Sequence, residues 1–440
     1  MRIYTIIVIC IFLTGCSTIT ASNKALINQK TPYAGRATFE INEDRGRGDV
    51  LMILSLSGGG SRAAYFAGQV MLRLQEVYPD IDLLKQIDVI SAVSGGSLAA
   101  AYYAISADPD DPNAKNVKSG RIWDRNNVEN QMAKNYLDRF IANSFWPANI
   151  FRYWFTSYNR SDIMAQTLAD NMYDQKHTGI DLLFEDLNPN RPYLILNSTE
   201  ATSGHPKRYR PYSHTFTFTY DEFKKLGSDI NAYEVARAVM GSAAFPGAFN
   251  YVLLKDYNSE SSGVVRHVQV FDGGTRDNLG LYSVMDIIEK YITRKKPSGI
   301  IVILVDAFTK PKGMHTENSD PRTTFLDRFV DTNFIDAFDS LLVGNRQNIV
   351  KEFRGFLTKT IEPIIQKENL IFWSIQFDEM CAKLNQENDP LCKVTEEKVN
   401  KIATSFNIEE EECKAITDAV KMLMSEKNSE LNKIRKILLK

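Results

Sequence analysis

Ser94 sits in Ala92-Val93-Ser94-Gly95-Gly96, at the end of the largely apolar run Ile87-Asp88-Val89-Ile90-Ser91-Ala92-Val93. A serine on a sharp turn from strand to helix is exposed beside a helix N-terminus. Backbone N–H groups there stabilise a developing negative charge. Small neighbours are needed because the strand and helix backbones approach closely. The segment has the form G-x-S-x-G with Ala92 in place of the first glycine. Ser97, in Gly95-Gly96-Ser97-Leu98-Ala99, is a shifted near-match. Ser94 is preferred as a nucleophile because the apolar run ends immediately before it, whereas Ser97 falls inside the following helix. Taken alone, such a motif also reads as a structural turn.

Two further segments offer matching chemistry. Ser57-Gly58-Gly59-Gly60-Ser61-Arg62 follows the apolar run Val50–Leu56. Three glycines between a strand and a helix free the backbone to aim several N–H groups at one anion, either a phosphate or an oxyanion. The spacing is not that of a dinucleotide loop, and no Walker lysine is present. Arg62 adds a positive charge beside the loop and is a candidate substrate-binding residue, with a surface salt bridge as the alternative. Phe271-Asp272-Gly273-Gly274 closes the run Val264–Val270, so Asp272 is expected at the carboxyl edge of a sheet, where open α/β sheets bind ligands. An Asp-Gly turn is the alternative.

The elements that must position these residues follow from periodicity. Val50–Leu56 predicts a buried strand. Ala63, Phe66, Ala67, Val70, Leu74 and Val77 predict a helix packed by one face. Ile87–Val93 predicts a second strand and Leu98–Ile105 a second helix. Strand, helix, strand, helix implies a mainly parallel α/β sheet with helices on both faces. Further strands are expected at Tyr193–Asn197, Thr215–Thr219, Val264–Phe271, Gly299–Val305 and Ile371–Phe377. Residues 107–186 show no strand pattern and read as a helical insertion. They hold an aromatic concentration that includes Phe145, Trp146, Phe151, Trp154 and Tyr158. It is a candidate cap over the site at a lipid–water boundary, with ordinary core packing as the alternative. Residues 394–440 read as an amphipathic helix over the sheet edge.

The chain has 440 residues, 44% hydrophobic and 24% charged, a globular composition. Its formal charge of −2 offers no basic excess for a nucleic-acid partner. Met1-Arg2, the apolar residues 3–13 and Leu13-Thr14-Gly15-Cys16 resemble a bacterial lipobox, in which the cysteine is acylated. That resemblance implies a signal peptide over 1–15, an anchored Cys16 and a polar tether over 16–48. Ser17 after the cysteine resembles outer-membrane lipoproteins, which implies a bacterial cell envelope location facing the periplasm. Of the cysteines beyond residue 16, Cys381 and Cys392 are candidates for a disulfide in an oxidising compartment. Three free thiols remain the alternative, since spacing alone does not decide pairing.

Together the glycine loop with its arginine, the serine turn and the Asp-Gly-Gly strand end resemble the patatin-like phospholipase family. Ala236-Arg237-Ala238, Ser242–Gly247 and Asn197-Ser198-Thr199-Glu200 add to the resemblance. It implies a patatin-like catalytic domain over 49–310, leaving 311–440 as a helical and strand extension. It implies a lipid acyl hydrolase of phospholipase A or lysophospholipase type acting on a lipid ester. Ser94 would be the nucleophile, Asp272 the base and Gly58, Gly59 and Gly60 the oxyanion donors, with no cofactor and no metal. Two rival readings stay open. One is a Ser94, Asp272, His315 hydrolase of the ordinary α/β kind. The other is a non-catalytic envelope lipoprotein that binds lipid or protein.

Overall fold

The computed structural model describes residues 21–26, 49–201, 215–263, 265–309 and 332–439. Cys16 and His315 lie outside these residues. A short strand β1 (Lys24–Ala25) precedes the alternation β2 (Val50–Leu56), α1 (Gly60–Glu76), β3 (Val89–Val93) and α2 (Gly95–Ile105). Helices α3 (Arg125–Met132), α4 (Tyr136–Ser144), α5 (Pro147–Phe155) and α6 (Arg160–Leu168) then lead to β4 (Tyr193–Glu200). Asp124, Asn135 and Asn159 cap α3, α4 and α6 with their side chains, and Pro147 opens α5.

After β5 (Thr215–Phe218) come α7 (Tyr220–Lys225), β6 (Ser228–Asp229), α8 (Val235–Ala243), β7 (Val252–Asp256) and β8 (Arg266–Asp272). The chain continues through α9 (Gly274–Asp277), α10 (Leu281–Arg294), β9 (Gly299–Asp306), α11 (Thr332–Phe356) and β10 (Leu370–Gln376). It ends with α12 (Met380–Lys383), α13 (Pro390–Lys401), α14 (Glu410–Leu423) and α15 (Ser429–Leu438). Among the described residues no helix is long and apolar enough to cross a membrane.

The main sheet has the order β10-β9-β2-β3-β4-β8-β7, with β5 also paired to β4. The first five strands of that order are mutually parallel, while β5, β8 and β7 pair antiparallel. Every residue of β2 is buried because side chains alternate between two covered faces. Met52, Leu54 and Leu56 join α1 and α2 in one core. Leu51 and Ile53 join α10 and α11 in the other.

Two expectations need correction. Val252–Asp256 is an edge strand that its sequence did not announce, since its apolar run covers only Val252–Leu254, although its side chains alternate between buried and half-buried. The C-terminal segment is not one helix over the sheet edge. It forms α13, α14 and α15, which share a core with α1 and β10.

Cys381 and Cys392 are disulfide-bonded, with their Cα atoms 5.8 Å apart, and Cys413 is a buried free thiol. In the chain-entropy picture, replacing both bridged cysteines by serine lowers the unfolding free energy by about 3 kcal/mol. A urea unfolding midpoint unchanged by the double substitution would contradict that expectation.

Candidate active site

The serine turn is strained. Ser94 has φ 48° and ψ −119°, a conformation that non-glycine residues rarely adopt and that costs about 1–3 kcal/mol. The surroundings hold it there. The Ser94 N–H donates to Ser242 Oγ at 3.0 Å, and Ser242 Oγ donates to the Asn197 carbonyl at 2.6 Å. The glycine loop presses against the turn from the other side. A Cβ on Gly95 would stand 2.1 Å from the Gly60 carbonyl oxygen, so only glycine fits. Ala92 is fully buried in β3, and the turn forms with alanine there. Ser97 lies inside α2, also fully buried, with its hydroxyl 2.8 Å from Ser242 Oγ.

Asp272 ends β8, which runs antiparallel to β4 and pairs Asp272 with Ser198. The neighbouring Asn197 pairs with Val93, next to Ser94 in the chain. The sheet register therefore brings the two residues together. Ser94 Oγ donates to Asp272 Oδ2 at 2.8 Å, and the Gly274 N–H donates to Oδ1 at 2.7 Å. Burial raises the Asp272 carboxyl to about 6, against the opposing pull of the Gly274 N–H and the Ser94 hydroxyl. A carboxylate of ordinary acidity is a weak base at neutral pH, and this shift makes it a better one. Asp277 is also raised to about 6 by burial, but its oxygens accept the N–H groups of Leu279 and Tyr282 at the start of α10. That is a structural cap and not a second reacting group.

The glycine loop departs from expectation at two positions. Gly58 donates its N–H to the Asn278 carbonyl at 3.0 Å, so that donor is already engaged. The N–H groups of Gly59 and Gly60 have no acceptor among the described residues. Arg62 does not offer its charge to a substrate. Its guanidinium is buried and donates to the Ala307 carbonyl at 2.9 Å, the Ile402 carbonyl at 2.6 Å and Thr404 Oγ1 at 3.2 Å. The Ser61 N–H likewise donates to the Ser405 carbonyl at 2.7 Å. Arg62 and Ser61 thus tie the segment between α13 and α14 to the start of α1. Buried carbonyls without local partners recruited the arginine.

Sequence reasoning did not single out Asn278 or Ser405. Asn278 lies within 3 Å of where a Cβ on either Gly58 or Gly274 would stand, so its side chain fills the gap between the loop and Asp272. Ser242 and Asn197 were marked only as parts of family-like segments, and both buttress the turn. Among the described residues no group of three His, Cys, Asp or Glu is arranged to hold a metal ion.

A family model described as patatin-like phospholipase matches residues 54–285. No curated protein sequence matches the chain. Among solved structures, human GIVD cytosolic phospholipase A2 is similar at 13% identity and a TM-score of 0.44, with 92% of this chain and 63% of that one covered. VipD from Legionella pneumophila is similar at 12% identity and a TM-score of 0.31, with 86% of this chain and 67% of that one covered. The chain therefore spans under two thirds of the human enzyme's length. The matched region takes in the glycine loop, the serine turn and the aspartate strand end, and over that span, more than half of its length, the chain belongs to the patatin-like phospholipase family.

Proposed function

We propose that the chain is a serine lipid acyl hydrolase cleaving carboxylic esters of phospholipid or lysophospholipid type by a Ser94–Asp272 dyad. The family match supports lipid acyl ester hydrolysis in general. The observation that carries the dyad is the 2.8 Å hydrogen bond from Ser94 Oγ to Asp272 Oδ2 on a strained turn. Ser94 Oγ attacks the ester carbonyl carbon as its proton passes to Asp272. The resulting oxyanion lies near the N-terminus of α2 and accepts from the Gly59 and Gly60 N–H groups, each such donor contributing about 3–4 kcal/mol. The C–O bond to the leaving alcohol breaks, and Asp272 returns the proton to that alcohol. Asp272 then takes a proton from water, the hydroxide attacks the acyl-serine, and Ser94 leaves with the proton back on its oxygen. Ester and water alone balance these steps.

Location is part of the same reading. Acylation of Cys16 anchors the chain in a bacterial envelope, at the outer membrane and facing the periplasm, with several acyl chains giving stable attachment.

A hydrolysis assay over a panel of phospholipids and lysophospholipids, with a chelator present, tests the activity. Fatty-acid release should persist without calcium. The pH profile follows from the raised Asp272 carboxyl. The base works only when ionised, so kcat/KM should be flat at high pH and fall about tenfold per unit once pH drops below about 6. No fatty acid released from any lipid, or a rate that stays level down to pH of about 4, the ordinary carboxylate value, would sink the proposal.

A further inference from the structure

The helices α4 and α5 carry an apolar surface that the fold leaves in water. Phe145 is 74% exposed, Trp146 65%, Phe151 59%, Trp154 74% and Phe155 54%. In α5 only Asn149 is buried, and its side chain donates a hydrogen bond to the Asn143 carbonyl. Phe151 and Phe155, one helical turn apart, meet with tilted rings whose centroids are 4.7 Å apart. With roughly 200 Å² for each fully exposed aromatic residue, the patch is on the order of 600 Å². Soluble proteins seldom leave so much unpartnered, and such a patch marks an interaction surface.

Three observations say what covers it. The first is composition. Residues 139–161 contain Arg139, Arg152 and Arg160 and no Asp or Glu. Tryptophan, tyrosine and arginine together suit the boundary between acyl chains and anionic headgroups. The second is the tether. Ser22 lines one groove with Ser157, Asn159 and Ser161, directly after α5. Asn23 is fixed there by hydrogen bonds with Ser228, Lys255 and Tyr257. Cys16 precedes Ser22 by six residues, a reach of at most about 20 Å. A membrane holding Cys16 is therefore within reach of this end of the molecule. The third is continuity with the site. Phe140 of α4 meets Phe249 edge-on at 5.6 Å, and Phe249 meets Phe406 at 5.3 Å. Phe406 adjoins Ser405, which is bonded to Ser61 beside the glycine loop.

We propose that the α4–α5 aromatic face docks on a lipid bilayer, with Trp146 and Trp154 seated among the headgroups and the Ser94 site turned to the same surface. Its catalytic consequence rests on the lipid-hydrolase reading, whereas the docking itself can be measured without turnover.

The test uses a chain starting at Ser17, which contains every described element, with Ser94→Ala added so that lipids stay intact. It is mixed with vesicles of phosphatidylethanolamine and phosphatidylglycerol and sedimented. The unmodified face should bind, and Trp146→Ala with Trp154→Ala should bind at least about tenfold more weakly at unchanged circular dichroism. With Trp123 and Trp373 replaced by Phe, the remaining tryptophan emission should shift to shorter wavelength on adding vesicles. In the Ser94-containing chain, the same double substitution should lower hydrolysis of vesicle lipid while sparing a short soluble ester. Failure to bind vesicles, or equal binding by the double variant, overturns the proposal. So does a dimer that the substitutions dissociate without changing vesicle binding, which would make the face a protein interface. Tryptophan-dependent vesicle binding with no hydrolysis of any ester would leave docking standing and remove the hydrolase reading instead.

Discussion

Ser94→Ala and Asp272→Asn should each reduce lipid ester hydrolysis by about 10³-fold or more, and the double variant should be little worse than either. The two side chains share one hydrogen bond of 2.8 Å, and in the proposed mechanism they serve one proton path, so removing either disables the same step. An asparagine in place of Asp272 would keep the shape of the carboxylate but could not take a proton. The loss should not come from unfolding. The Asp272 carboxyl titrates at about 6 when folded, against 3.8 ordinarily. Folding thus makes ionisation harder, and at any pH above that range the buried charge detracts from stability. The neutral amide should leave the melting temperature unchanged or raise it. Ser97→Ala should retain activity because the Ser97 hydroxyl is spent on Ser242. His315→Ala should also retain activity. A folded His315→Ala as inactive as Ser94→Ala would hand the chemistry to a Ser-His-Asp triad.

Much of this arrangement was readable because local pattern and fold agree at the turn. β2 and β3 are near-continuous apolar runs interrupted only by Ser55 and Ser91, as fully buried parallel strands are, and the glycines sit where backbones touch. What was not readable depends on partners far away in the chain. Nothing near Arg62 announces that its guanidinium will meet carbonyls at Ala307 and Ile402. Nothing near Gly58 announces that Asn278 will take its N–H. β7 escaped notice because its apolar run is only three residues long, Val252–Leu254, before Lys255 and Asp256. The aromatic segment shows the limit of composition. Trp and Phe favour cores and membrane boundaries alike, and only burial separates the two.

The glycine loop gives the second large effect. Gly60 has φ +61°, and a Cβ there would lie 2.2 Å from the Ser405 carbonyl oxygen. That oxygen is backbone, so Gly60→Ala must move either the loop or the segment tied to it. In the proposed mechanism the Gly59 and Gly60 donors then lose their aim at the oxyanion, and kcat should fall by about 10²–10³-fold with KM little changed. Arg62→Ala provides the contrast. It strips charged hydrogen bonds from Ala307, Ile402 and Thr404, which should lower stability by about 2–4 kcal/mol. At a temperature where it remains folded, this variant should keep far more activity than Gly60→Ala, because the arginine acts on the C-terminal segment and not on the substrate. An Arg62→Ala variant that melts like the parent yet loses substrate affinity would show the reverse, that the arginine reaches the ligand and the clamp is incidental.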